Sequence, residues 1–64
     1  MKFSDTLDIA IALSEQHPDV DPKYVRFTDL LSWVTKLEEF DDSVDKCNEK
    51  VLEAIQMAWI DELS

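Results

Sequence analysis

The chain contains no glycine in its 64 residues. Glycine supplies the positive φ angles of two-residue hairpin turns, and it lets backbone amides approach a bound phosphate in dinucleotide- and phosphate-binding loops. Its absence excludes both loop motifs and favours helices over a β-sheet. A chain this short buries only about 60% of its unfolded surface, so we expect residues 1–64 to form one domain without a deep substrate pocket.

The net charge is −9, from fifteen Asp and Glu residues against six Lys and Arg. Such a chain repels phosphate backbones and anionic lipids, which argues against nucleic-acid or membrane binding and for a basic protein surface or a cation as partner. The imbalance is concentrated in residues 38–64, where nine acids and two lysines give −7. Charge repulsion also favours a monomer.

A reduced cytoplasmic setting is the expected location. The single cysteine cannot form an internal disulfide, and no Cys/His metal motif is present. The first residues lack the charged-then-apolar pattern of a signal peptide. No apolar run approaches the ~20 residues of a membrane span.

The pattern of caps and apolar residues predicts a first helix at the N-terminal end. Ser4 is the predicted N-cap, and Pro18 should end the helix near Gln16 or His17. The apolar residues expected to face the core are Ile9, Ala12 and Leu13.

A second helix is predicted after a short connection. Asp21-Pro22 favours one helical turn that ends near Tyr24, and residues 25–27 have the extended propensity of a tiny strand or a buried connector. Thr28 is the predicted N-cap, and the helix should run to about Glu38. Its core face follows the i, i+3, i+4, i+7 pattern of an amphipathic helix, at Leu30, Trp33, Val34 and Leu37.

A third helix is predicted near the C-terminal end. Ser43 is its candidate cap, Asn48 is a possible later start, and the helix should reach Asp61 or Glu62. Its expected inward face comprises Val51, Leu52, Ile55, Ala58, Trp59 and Leu63. The predicted fold is therefore all-α, a small three-helix orthogonal bundle of helix-turn-helix or winged-helix-like form. DNA binding, the usual role of that arrangement, is opposed by the charge.

Carboxylates crowd the second connection and the third helix, and they form the predicted metal site: Glu38, Glu39, Asp41, Asp42, Asp45, Glu49 and Glu53. The last three are spaced four apart, which predicts one ridge on the third helix, where like charges cost a few tenths of a kcal/mol per pair. The simpler interpretation is a solvated face in which some acids serve helix starts. The functional interpretation is an open, all-oxygen cation site of modest affinity, or a docking face for a basic partner.

Six further residues are candidates for contact with a partner: Asp19, Asp21, Tyr24, Arg26, Asp61 and Glu62. Tyr24 is either an interface anchor or a packing residue. Arg26 either pairs with Asp21 or Asp29 or contacts the partner. Both tryptophans are expected in the core. With one histidine and one cysteine, no nucleophile–base pair or metal triad can be assembled, so we expect no enzymatic activity.

Several segments resemble one known family. They are residues 18–30, Trp33, residues 37–42 (Leu-Glu-Glu-Phe-Asp-Asp), residues 48–55 (Asn-Glu-Lys-Val-Leu-Glu-Ala-Ile) and residues 59–62 (Trp-Ile-Asp-Glu). Together they resemble the IscX family of accessory proteins in bacterial iron–sulfur cluster assembly. The resemblance extends over essentially the whole chain, including its length and acidity.

The resemblance implies a modified winged-helix domain that docks on the cysteine desulfurase of that system, on a surface also used by the bacterial frataxin. It also implies weak iron binding through surface carboxylates. The desulfurase contains pyridoxal phosphate, whereas this chain would have no organic cofactor. The leading hypothesis is thus an adaptor or regulator of cluster assembly. The alternatives are a free-standing iron chaperone or donor, and an acidic regulator of another basic protein.

Overall fold

Three α-helices make up the fold in the computed structural model, which describes all residues 1–64: α1 (Thr6–Gln16), α2 (Phe27–Thr35) and α3 (Glu49–Leu63). A short 3-10 helix, Val44–Lys46, lies between α2 and α3. The all-α, three-helix prediction is confirmed. The strand considered for residues 25–27 does not form, because α2 already begins at Phe27. No residue has a positive φ and no peptide bond is cis.

The core is a single cluster of ten buried apolar residues: Phe3, Ile9, Ala10, Leu13, Leu30, Val34, Leu37, Leu52, Ile55 and Trp59. It forms chiefly where α1 packs against α3, and α2 contacts both. Fully burying one large apolar side chain stabilises the fold by about 1.5–3 kcal/mol, so this cluster supplies most of the driving force. No helix combines the length and apolar character that crossing a membrane requires.

Five predicted core residues are not fully buried: Ala12, Trp33, Val51 and Ala58 are half-buried against the core, and Leu63 is exposed. Leu63 is 53% exposed, because it lies in the last turn of α3, beyond the reach of the other helices. Trp33 is half-buried at the core's edge, where its ring stacks on His17 with the centroids 4.3 Å apart. Trp59, by contrast, is fully buried as predicted.

The N-cap of helix α1 lies one residue later than predicted. Asp5, not Ser4, is the N-cap. The Asp5 N–H donates to the Lys2 carbonyl at 2.9 Å, and the Lys2 N–H donates to the Asp5 carboxylate at 2.9 Å. This closed turn contains Ser4, so the helix starts after it. The predicted end is confirmed at Gln16, with His17 as C-cap before Pro18.

Helix α2 is shifted and shorter than predicted. Its N-cap is Arg26 rather than Thr28, because the Arg26 carbonyl accepts the first helical bond from the Leu30 N–H at 2.8 Å. It ends at Thr35 rather than near Glu38. The turn predicted after Asp21 is present as a single hydrogen-bonded turn, with Tyr24 N–H donating to the Asp21 carbonyl at 3.1 Å.

Helix α3 begins at the later of its two candidate starts. The Asn48 side chain accepts a hydrogen bond from the Val51 N–H at 3.0 Å, which is N-cap geometry. Ser43 instead caps the 3-10 helix, where its hydroxyl accepts from the Asp45 N–H at 3.3 Å. Asp45 therefore lies outside α3, and the predicted three-acid ridge is reduced to Glu49 and Glu53.

Candidate functional site: an acidic cleft and a lysine groove

Asp42, one of the predicted metal ligands, fastens the N-terminal segment to the second connection. Its carboxylate accepts hydrogen bonds from the Phe3 N–H at 3.1 Å and the Ser43 N–H at 2.8 Å. Lys46 Nζ lies 3.4 Å from the same carboxylate. The Asp42 side chain is only 7% exposed. The Phe3 ring lies edge-on to the half-buried Phe40 at 4.8 Å. Asp42 therefore sits beside a buried aromatic ring and has a structural role.

Asp41 completes this attachment from the solvent side. The Lys2 ammonium lies 3.2 Å from its carboxylate and donates to its backbone carbonyl at 3.0 Å. The Asp41 N–H donates to the Met1 carbonyl at 3.1 Å. These contacts span about forty residues of sequence, so they fix the second connection against the start of α1.

Asp41 and Asp42 both have pKa values below the ordinary value, but different hydrogen-bond donors lower them. For Asp41, the pKa is lowered mainly by the hydrogen bond from the exposed Lys2 ammonium. For Asp42, the pKa is lowered mainly by the hydrogen bond from the Phe3 backbone N–H, with burial acting in the other direction. Both groups are therefore ionised and already occupied at neutral pH, which makes them poor candidates for holding a cation.

The remaining acids form no ion pairs. All three ion pairs of the chain involve Asp41 or Asp42, so thirteen of the fifteen carboxylates have no ion-pair partner. Within residues 38–64 the unpaired acids are all exposed: Glu38, Glu39, Asp45, Glu49, Glu53, Asp61 and Glu62. The C-terminal half thus presents unneutralised negative charge to solvent.

Tertiary structure sorts the predicted metal ligands into separate groups. Glu38 and Glu39 face α1 across two adjoining clefts. Glu15, Glu38 and Glu39 line the first, of about 180 Å³. Asp8, Glu15 and Glu39 line the second, of about 390 Å³, and Met1 lines both. We call the surface of these four acids the acidic cleft. Sequence reasoning did not include Asp8 and Glu15, because only the packing of α1 against the second connection brings them to Glu38 and Glu39.

No three or more His, Cys, Asp or Glu side chains lie in an arrangement that could hold a metal ion. Glu49 and Glu53 are one turn apart on α3, and Asp45 lies in the preceding 3-10 helix. The donor set is all carboxylate, which suits hard cations, but it offers pairs rather than a chelating cluster. Any cation would keep most of its water ligands.

Of the predicted partner-contact residues, Asp21 lies against the end of α3, whereas the exposed Asp19 lines no groove. Asp21, Pro22 and Lys23 line a groove of about 430 Å³ with Ile60, Leu63 and Ser64. The Gln56 side chain donates to the Pro22 carbonyl at 2.8 Å and ties the two segments together. Asp61 and Glu62 belong to the same turn of α3.

Tyr24 and Arg26 are both exposed in the segment that follows Pro22 and Lys23, but neither lines the groove just described, which we call the end groove. Tyr24 is 82% exposed, so it makes little packing contact. Arg26 forms no ion pair with Asp21 or Asp29, so the ion pair considered for it is absent. Both side chains are free to contact a partner.

A second groove, of about 620 Å³, contains three of the six cationic side chains of the chain. Lys2, Lys46 and Lys50 line it, with Phe3, Val51 and Ala54 as its apolar part and Asp42 as its only acid; Ser4, Thr6 and Asn48 complete it. We call it the lysine groove. The lysine groove is larger than the composition led us to expect. Sequence analysis did not predict it, because Lys2 and Lys50 are far apart in the sequence.

The one cysteine lies outside both surfaces. Cys47 is half-buried between the 3-10 helix and α3, and burial raises the pKa of its thiol. A raised pKa keeps the thiol protonated at neutral pH, which opposes nucleophilic chemistry.

Comparison with known proteins decides the family. A family model described as iron-sulphur cluster assembly matches residues 1–64, the whole chain. This chain belongs to that family. It is the IscX family that the sequence segments resemble. An uncharacterized protein of Pseudomonas aeruginosa is 56% identical over 62 residues, which cover 97% of this chain and 94% of the relative. Membership in the IscX family gives the chain a role in iron–sulfur cluster assembly.

Proposed function

We propose that this IscX-family chain is a non-enzymatic adaptor and regulator that docks on the cysteine desulfurase of the assembly system and binds iron weakly. The observation that supports docking is the acidic cleft, whose four carboxylates have no ion-pair partner. The one cation in its lining, the Met1 ammonium, is paired with Asp41 instead. Such a surface attracts a basic partner and raises the association rate by ~10- to 1,000-fold at low salt.

The chemistry available to the chain supports an adaptor rather than an enzyme. The single histidine stacks on Trp33, and the single cysteine has a raised thiol pKa. Neither His17 nor Cys47 lines the lysine groove, the largest cavity. The only imidazole and the only thiol of the chain therefore do not lie together where a substrate could bind.

Iron would bind as transient cargo. Carboxylate pairs such as Glu38 with Glu39, or Glu49 with Glu53, supply few protein ligands each, so the affinity is modest. This favours a docking adaptor over a free-standing iron carrier. If iron is held in the acidic cleft, it adds two or three positive charges to the docking surface, and linkage then makes desulfurase affinity depend on iron.

Docking is tested by calorimetry of the desulfurase with three variants of this chain at fixed salt. Glu15→Gln/Glu39→Gln removes two charges from the acidic cleft and should weaken binding by about tenfold, as close charge pairs at interfaces contribute on the order of 1.5 kcal/mol or more. Glu49→Gln/Glu53→Gln removes two charges from α3 and should weaken binding by only about twofold. Tyr24→Ala tests the exposed segment that follows the end groove residues Pro22 and Lys23.

Equal effects of the two charge-matched variants would contradict docking through the acidic cleft. They would indicate only a general attraction between opposite charges. A larger loss in Tyr24→Ala would move the interface to the segment that contains Tyr24. Absence of binding by the unmodified chain at moderate salt would overturn the docking proposal itself.

Iron binding is tested by anaerobic titration of the unmodified chain with ferrous iron, followed by backbone amide NMR. We expect amides near Glu38 and Glu39, or near Glu49 and Glu53, to broaden first. Amides of Asp41 and Asp42 should change last, because their carboxylates are already engaged. Desulfurase affinity that is identical with and without iron would refute the linkage.

A further inference from the structure

The lysine groove contains three of the six cationic side chains on a chain of net charge −9. Its lining includes three lysines and one carboxylate. Asp41 contacts the Lys2 ammonium at 3.2 Å from outside the groove, so the local balance is +1. The carboxylate, Asp42, is already bonded to the Phe3 and Ser43 N–H groups and to Lys46. Lys50 forms no ion pair at all, so its charge is directed only to solvent and to whatever occupies the groove.

The walls of the groove come from three separate segments that the fold brings together. The N-terminal segment supplies Lys2 and Phe3, the 3-10 helix supplies Lys46, and α3 supplies Lys50, Val51 and Ala54. The Asp42 attachment holds the first two segments together, so the groove exists before any ligand binds. Its volume of about 620 Å³ lies within the range of roughly 300–1,000 Å³ typical of ligand sites.

We propose that the lysine groove binds an acidic segment of another polypeptide, in which carboxylates flank an apolar side chain. The lysines would contact the carboxylates, while Phe3, Val51 and Ala54 provide an apolar surface that a bare phosphate ion would not use. A lysine ammonium on a flexible stem accommodates carboxylates at varied positions. The ligand is thus an acidic peptide rather than a small anion.

The groove and the acidic cleft are neighbouring surfaces, since Lys2 lines the groove, Met1 lines the cleft, and both contact Asp41. The chain exposes 4303 Å², and a standard interface covers about 800 Å² per partner, roughly a fifth of that surface. The two surfaces have no lining residue in common. The acidic cleft would then contact a basic partner and the lysine groove an acidic one, so that the chain could join them.

Solution conditions matter for the test. At about 0.01 M salt the Debye length is about 30 Å, and the net negative charge of the whole chain repels an acidic peptide; at 0.15 M it is about 8 Å, and the local lysines dominate. The titration is therefore done at 0.15 M salt. The probe is the acetylated, amidated peptide Glu-Glu-Leu-Glu-Glu, and the neutral control is Gln-Gln-Leu-Gln-Gln.

Backbone amide NMR is the readout. We expect the acidic peptide to shift the amides of Phe3, Thr6, Lys50, Val51 and Ala54, and the neutral peptide to leave them unchanged. Lys50→Glu should weaken binding by about fivefold, the factor that corresponds to ~1 kcal/mol. Lys36→Glu is the matched control, since it changes the net charge equally at an exposed residue outside the groove, and it should weaken binding much less.

Four results would overturn the proposal. These are no shift with the acidic peptide, equal weakening by the two lysine variants, an equal affinity for inorganic phosphate, and groove shifts on simple dilution of the chain, which would indicate a second copy as the occupant. The experiment contains no desulfurase, so its outcome is independent of the docking proposed above.

Discussion

Asp42 illustrates how one residue in a run of acids can have a role unlike that of its neighbours. Glu38 and Glu39 are exposed and unpaired, whereas the Asp42 carboxylate accepts two backbone hydrogen bonds and one lysine contact. Because the carboxylate is ionised, each of those hydrogen bonds is stronger than one to a neutral acceptor. Removing the carboxylate would leave the Phe3 N–H without a partner beside the buried Phe3 ring.

Asp42→Ala should lower the midpoint of thermal unfolding by several degrees, because it releases the N-terminal segment from the second connection. Asp45→Ala removes the same charge from an exposed, unpaired residue three positions along, and should change the midpoint by no more than ~2 °C. Circular dichroism melts of both variants measure the difference. Equal melting of the pair would mean that the Asp42 contacts contribute nothing to stability.

The pH dependence of stability follows from the same two aspartates. Their folded-state pKa values lie below the ordinary value, so the unfolded chain takes up protons first as the pH falls. The resulting stability is complete above the unfolded pKa of about 3.9 and is lost as the pH drops through the folded values. Urea melts between pH 6 and 2.5 should therefore show a fall below about pH 4 that is smaller in Asp42→Ala. A fall of the same size in this variant would contradict the assignment.

At the scale of elements, the sequence predicts the buried faces better than the helix limits, since the end of α1 is right but α2 ends earlier than predicted. Pro18 dictates the end of α1, and the i, i+3, i+4 spacing gives the buried face of α2. Starts depend on which local hydrogen bond prevails. The Lys2–Asp5 turn displaces the start of α1 from Ser4, and α2 begins at Phe27 with no side-chain cap at all. Neither competition is visible in a linear pattern.

The start of α3 gives a direct test at this scale. Asn48→Ala removes the side chain that accepts from the Val51 N–H and should cost about 1 kcal/mol of unfolding free energy. Ser43→Ala removes the cap of a three-residue 3-10 helix and should cost clearly less. Chemical denaturation measures the unfolding free energy of both variants. A larger loss in Ser43→Ala would mean that Ser43, not Asn48, is the cap that stabilises the start of α3.

At the scale of the whole molecule, charge is the property that packing rearranges most. The acidic excess was predictable from sequence, as was its concentration after residue 38. The acidic cleft was only half predictable, since Asp8 and Glu15 join it through the tertiary packing of α1. The lysine groove was not predictable, because Lys2 and Lys50 come together only through the attachment at Asp42.

Salt should stabilise this molecule. Three ion pairs stand against thirteen unpaired carboxylates, so screening removes more repulsion than attraction. Raising the ionic strength from 0.01 to 0.2 M should raise the midpoint of thermal unfolding by a few degrees. Sodium chloride and choline chloride should act alike if screening is the cause. An unchanged or lower midpoint would mean that the repulsion is already balanced.

The absence of positive φ angles has a practical consequence for experiments on this chain. No position requires a left-handed backbone, so replacing a non-proline residue by alanine introduces no steric penalty of that kind anywhere from end to end. Losses in an alanine scan can then be attributed to the side chains removed. Mutational maps of the two charged surfaces should therefore be readable without correction for main-chain distortion.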